Sequence, residues 1–201
     1  MNNNPAEQAL SWSFNAPNYV TIARVVLAAT IVWLLVQGGE AGILMAGILL
    51  IIGWGTDGLD GFLARRMGQS TLAGALFDLV ADRALMTPAL ILSVAAGLWS
   101  RTAGFMPLNP YPYMLVVLAA DVTVLAGVFT FIWKRRTRYM EFPAPTLIAR
   151  ITYSVQMPTL VLGVLGIGPD WLLAALMYLT IIFTSVAFYS YYTKGSYVFT
   201  D

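Results

Sequence analysis

Four aspartates, Asp57, Asp60, Asp78 and Asp82, fall within DGLDGFLARRMGQSTLAGALFDLVADR at positions 57–83, amid largely apolar sequence. A carboxylate costs about 2.5–3.5 kcal/mol at the centre of a bilayer on insertion scales, and less toward the interface. Four together also repel, so something cationic must compensate. Asp57 and Asp60 are three residues apart and Asp78 and Asp82 four apart, so on helices each pair shares a face. The 201 residues contain no histidine and no cysteine. Ligands limited to carboxylate oxygen select hard ions, Mg²⁺, Mn²⁺ or Ca²⁺, rather than Zn²⁺. Two such ions would balance the four charges, and a metal pair about 3.5–4 Å apart is the usual clamp for displacement at phosphorus. Arg65, just beyond the first pair, stands where it can hold a phosphate. Plain interhelical salt bridges from Arg65 and Arg83 are the structural alternative. They leave the small residues Gly61, Ala64 and Gly74 unexplained, since a mid-helix glycine costs roughly 1 kcal/mol relative to alanine. Small side chains clear room beside the acids for a helix or a ligand.

The elements that must carry these residues are membrane helices. The chain is 59% hydrophobic and 10% charged, with mean hydropathy +0.74, whereas an ordinary soluble domain is about 25% charged. The net charge of +1 points to no nucleic acid or other polyanionic partner. About 20 apolar residues span the hydrocarbon core. Six segments approach this: Tyr19–Val36, Ala41–Leu63, Leu72–Trp99, Pro112–Trp133, Pro145–Leu165 and Trp171–Tyr192. Gly38-Gly39, Met67-Gly68-Gln69, Pro107–Pro110, Pro143–Pro145 and Gly166–Pro169 break the runs between them. The expected fold is therefore an all-α integral membrane protein of one domain, residues 1–201, with six transmembrane helices. Gly68 would cap the second helix, and Ser70 or Thr71 would open the third. Residues 1–18 form a polar N-terminal segment with no basic region ahead of an apolar run, so no cleaved signal peptide is expected. Leu10, Trp12 and Phe14 suit a short interfacial helix or a tail.

Charge sets the orientation. With six spans, Arg24, Arg65, Arg66, Arg83, Lys134, Arg135, Arg136, Arg138, Arg150 and Lys194 fall on the side of the termini, and Arg101 on the other. By the positive-inside rule both termini and the aspartate hairpin face the cytoplasm. A cation transporter would also keep carboxylates in helices, but with charges near the midplane and internal symmetry between halves. These acids sit in one hairpin near one face.

The run Asp57-x2-Asp60-Gly61-x2-Ala64-Arg65-x8-Gly74-x3-Asp78-x3-Asp82 resembles the signature of the CDP-alcohol phosphotransferase family at every fixed position. Pro17-Asn18-x2-Thr21-x2-Arg24 also resembles its members, nearest to its phosphatidylglycerophosphate and cardiolipin synthases. The resemblance implies transfer of a phosphatidyl or similar group from a CDP-linked donor to a hydroxyl, with release of CMP. It implies two metal ions, Mg²⁺ or Mn²⁺, on Asp57, Asp60, Asp78 and Asp82, with Asp82 also the general base. Asn18, Asp60, Gly61, Ala64, Arg65 and Gly74 would meet the donor, CDP-diacylglycerol. It also implies a homodimer among membrane lipids. For the acceptor, glycerol 3-phosphate is expected, with Arg136, Arg138 and Arg150 on its phosphate. The related members commonly carry an arginine before an acidic residue in the fourth helix, where this chain has Ala120-Asp121. Phosphatidylglycerol, inositol phosphate and serine therefore stand as alternative acceptors. Mid-span Asp121 is expected to have a partner or line a cavity. The lack of histidine excludes phosphohistidine chemistry and histidine-ligated zinc hydrolysis in these residues.

Overall fold

A computed structural model of the chain describes residues 16–67, 72–99, 110–135 and 147–200, with side chains at 23–56, 79–99, 110–130, 133, 148–190 and 193. All regular structure among the described residues is helical, in six helices. They are α1 (Ala16–Gln37), α2 (Glu40–Met67), α3 (Leu72–Ala95), α4 (Pro110–Arg135), α5 (Leu147–Leu165) and α6 (Asp170–Thr200). Three stretches are long and apolar enough to cross a membrane: Pro110–Thr130, Ile148–Leu165 and Asp170–Ser190. In α1 and α2 the apolar stretches with described side chains, Ala23–Gln37 and Glu40–Thr56, are shorter. The described residues are thus all-helical, with three stretches long and apolar enough to span a membrane, where six spans were expected.

The helix ends follow local backbone chemistry. Gly38 and Gly39 take φ of +69° and +81°, a conformation that glycine adopts without a Cβ clash, and they turn α1 into α2 in two residues. The third helix was expected to run to Trp99, but it stops at Ala95. Gly97 sits at φ +72°, its N–H donates to the Val94 carbonyl at 3.0 Å, and the Leu98 N–H donates to the Ser93 carbonyl at 3.1 Å. That pair of bonds is a Schellman cap. The last helix departs the other way. It continues past Tyr192 to Thr200, because Lys194-Gly195-Ser196 ends the apolar run but holds no proline to break the hydrogen-bonded ladder.

The chain divides into two compact units, residues 1–89 and 90–201. In the first, α1 packs on α2, and Ile31, Leu35, Ala46, Leu50, Leu85 and Met86 are buried. In the second, α6 packs against both α4 and α5. Trp99 is fully buried there. Its indole N–H donates to Ser93 Oγ at 3.0 Å, and Ser93 Oγ donates to the Leu90 carbonyl at 3.0 Å. The ring lies over Gly163, where a Cβ would come within 2.4 Å of it, and its centroid is 5.4 Å from that of Tyr113.

Candidate functional site

Three helices of the first unit converge at Gly53. A Cβ on Gly53 of α2 would meet Leu27 Cδ2 of α1 at 2.9 Å and Leu85 Cδ1 of α3 at 3.2 Å. The missing side chain lets the three helices approach closely at this level. Four residues separate Met67 from Leu72, so α3 returns antiparallel to α2. One turn away on α1 and α3, Arg24 Nη1 donates to Asp82 Oδ1 at 2.9 Å. Arg24 is only 4% exposed and Asp82 17%.

This contact fixes a register for the aspartates. On α2, positions 53, 57 and 60 recur on one face at i, i+4 and i+7, and on α3 positions 78, 82 and 85 do the same. Gly53 opposes Leu85. Moving toward the α2–α3 link at about 1.5 Å per residue, position 57 lies ~6 Å and position 82 ~4.5 Å from that level. Positions 60 and 78 both lie ~10.5 Å from it. The two helix faces that meet at Gly53 therefore carry all four aspartate positions in paired layers, on the side of the α2–α3 link.

Side chains are described for only part of this set. Asp57, Asp60, Gly61, Ala64 and Arg65 belong to α2, and Gly74 and Asp78 to α3, but their side chains lie outside the described residues. So does that of Asn18 on α1. Gly68, Ser70, Thr71, Arg136, Arg138 and the N-terminal Leu10, Trp12 and Phe14 also lie outside. Among the described residues there is no group of three potential metal ligands, since Asp82 is the one member of the aspartate set whose side chain is described. Arg150 is exposed on the first turns of α5, where its carbonyl accepts from Ser154 Oγ at 3.0 Å. Asp121 is buried at 4% exposure and engages a partner, as a mid-span carboxylate must.

The ion pair itself departs from expectation. Arg65 and Arg83 stood only as the salt-bridge alternative to metal, and the cation found on Asp82 is Arg24, 58 residues away. A signal was present in the sequence. Arg24 lies inside the apolar run of α1, where a guanidinium needs a carboxylate partner.

The sequence model for CDP-alcohol phosphatidyltransferases matches residues 14–186, across both units and all four aspartates. The chain belongs to the CDP-alcohol phosphatidyltransferase family. One family relative, the CDP-diacylglycerol–glycerol-3-phosphate 3-phosphatidyltransferase of Pseudomonas fluorescens, is 39% identical over 80 residues, covering 40% of this chain and 41% of its own. The enzyme of the same name from Haemophilus influenzae is 38% identical over 81 residues, 40% of this chain and 44% of its own. These matches thus span about two fifths of those relatives. A probable CMP-forming cardiolipin synthase of Drosophila melanogaster is 32% identical over 198 aligned positions, covering 87% of this chain and 56% of its own.

Proposed function

We propose that this protein transfers the phosphatidyl group of CDP-diacylglycerol to the hydroxyl of glycerol 3-phosphate and releases CMP. The observation that carries the reading is the register around Gly53, which brings the two aspartate-bearing helix faces together within a chain of this family. The relatives named for glycerol 3-phosphate support the acceptor.

An oxygen-only donor set on two facing helices fits a hard divalent cation. Asp57, Asp60, Asp78 and Asp82 would hold two Mg²⁺ or Mn²⁺ ions. Such ions supply charge stabilisation at the diphosphate and the departing CMP. The chain's own residues do the rest. Asp82 takes the proton of the acceptor hydroxyl as its oxygen attacks the phosphorus that bears the diacylglycerol. The new O–P bond forms, the anhydride bond to CMP breaks, and CMP leaves with that electron pair. Asn18, Gly61, Ala64 and Gly74 make room for the cytidine diphosphate, and Arg65 binds its phosphates. Arg136, Arg138 and Arg150 offer planar forks to the acceptor's phosphate. Ten basic residues on one side support six spans with cytoplasmic termini and a cytoplasmic site. A homodimer completes the reading.

Phosphatidylglycerol is the second acceptor to weigh, because the cardiolipin synthase match covers most of this chain. One assay separates the readings. Purified protein receives CDP-diacylglycerol, Mn²⁺ or Mg²⁺ and one acceptor at a time, with lipid products identified by mass. Phosphatidylglycerophosphate is expected with glycerol 3-phosphate, and no product after EDTA. Cardiolipin from phosphatidylglycerol would replace the acceptor, and full turnover after exhaustive chelation would remove the metal reading.

A further inference from the structure

Arg24 has no part in the chemistry described so far, yet it makes the ion pair at the proposed base. We propose that Arg24 is a positioning residue that sets the orientation of the Asp82 carboxylate, and through it the affinity of the aspartate set for its divalent cations. This rests on the metal reading of the function. Three observations carry it.

The first is the direct contact, Nη1 to Oδ1 at 2.9 Å, the length of a charge-assisted hydrogen bond. The second is the exposure of the two partners. The arginine is 4% exposed and the aspartate 17%, so the more deeply buried group is the cation and the carboxylate is the more open one. A guanidinium stays charged when buried and is planar, so it fixes the carboxylate in direction as well as in charge. The third is the anchoring of both helices. Leu27 lies one turn beyond Arg24 and Leu85 one turn beyond Asp82, and both meet Gly53. The backbones that carry the pair are therefore held one turn away by close helix contact. Carboxylate ligands held by such outer partners typically lose about 10–100-fold in metal affinity when the partner is removed.

Mn²⁺ binding to the purified full-length protein in nanodiscs, followed by electron paramagnetic resonance, tests this without turnover. Arg24→Gln is expected to raise the Mn²⁺ Kd by about 10–100-fold. Arg24→Lys, which keeps a donor and the charge but loses the fork, should raise it less. Asp82→Asn keeps three carboxylates, so weaker binding stays readable at high Mn²⁺, and adding Arg24→Gln to it should change nothing more. Wild-type affinity in Arg24→Gln overturns the proposal, as does an additive effect in the Asp82→Asn background. Arg24→Gln that leaves the Mn²⁺ Kd alone but raises KM for CDP-diacylglycerol would make Arg24 a donor contact instead. If neither Arg24 variant folds, the pair is a structural tie and the proposal falls. A wild-type protein that binds no Mn²⁺ takes down the metal reading as well, whereas wild-type binding that Arg24→Gln leaves intact removes only this inference.

Discussion

The two units of the chain bury polar groups in opposite ways. Among the described residues of 1–89, a charged pair, Arg24 with Asp82, links helices far apart in sequence. In residues 90–201 the buried polar side chains are mostly neutral: Ser93, Thr152, Gln156, Thr159, Thr180 and Thr184, with Asp121 the acid. Many of those hydroxyls return their hydrogen bond to their own helix. Thr152 donates to the Ile148 carbonyl at 2.8 Å, Thr159 to Val155 at 2.7 Å and Thr180 to Leu176 at 2.8 Å. A hydroxyl satisfied this way makes little demand on neighbouring helices. A guanidinium or carboxylate has no such local exit, so each needs a partner or a ligand. The difference teaches where to look for chemistry in a membrane bundle: at the polar groups that cannot satisfy themselves.

The largest effect should come from breaking the charged side of this contrast. Asp82→Asn keeps the shape of the side chain but cannot take a proton. Turnover is expected to fall about 10²–10⁴-fold, the usual range for loss of a general base, with little change in the KM for CDP-diacylglycerol. Near-normal turnover by CMP release would remove Asp82 from its assigned role. The hydroxyl variants of the second unit should leave turnover within a few-fold.

A smaller effect tests whether the second unit contributes a charge to the reaction. Arg150 is exposed and lies in an otherwise uncharged helix. Hydrogen bonds to charged groups contribute about 1.5–3 kcal/mol, so Arg150→Ala should raise the acceptor KM by about 10- to 150-fold. The KM for CDP-diacylglycerol should hardly move. Unchanged acceptor kinetics would return Arg150 to the role of a membrane anchor.

The contrast was only partly legible in the sequence. Hydropathy and breakers located all six helices, because long apolar runs and glycine pairs act locally. They missed the end of α3, where the same apolar run continues through Gly97 to Trp99 but the backbone turns at the glycine. The four aspartates were legible as two i, i+3 and i, i+4 pairs, since spacing alone puts them on shared faces. The Arg24–Asp82 bond was not, because pairing across 58 residues depends on how α1 and α3 sit on Gly53. Nor was the Trp99–Gly163 contact, in which a large ring fills the gap left by a glycine 64 positions on, a match that no local pattern encodes.

The two close glycines sharpen the comparison at the level of packing. At Gly53 an added Cβ meets the far ends of two leucines at 2.9 and 3.2 Å, which can shift. At Gly163 it meets the rigid indole of Trp99 at 2.4 Å, and that ring is also held by its bond to Ser93. Gly163→Ala is therefore expected to cost about 1–3 kcal/mol, as overpacking does, and Gly53→Ala less. Thermal unfolding in detergent would check the order. A larger loss at Gly53 would mean that the α1–α2–α3 contact is the stiffer of the two.

The smallest effect lies within the neutral set, and it carries a sign. Thr159 is satisfied by the Val155 carbonyl and also lies 3.4 Å, oxygen to oxygen, from Thr180 across the α5–α6 interface. Thr184 is buried too, but its hydroxyl has no hydrogen-bond partner among the described residues. Interhelical hydrogen bonds within a bilayer average about 0.6 kcal/mol. Thr159→Val should destabilise by about that amount or a little more, because a second bond to the backbone goes with it. Thr184→Val removes a buried hydroxyl that makes no bond and keeps nearly the same volume, so it should be neutral or stabilising. The measurement is unfolding free energy in mixed micelles for the two single variants. Equal losses at both positions would show that the Thr184 hydroxyl is satisfied in the membrane. The second unit would then carry a polar contact between helices at Thr184 as well as at Thr159 and Thr180.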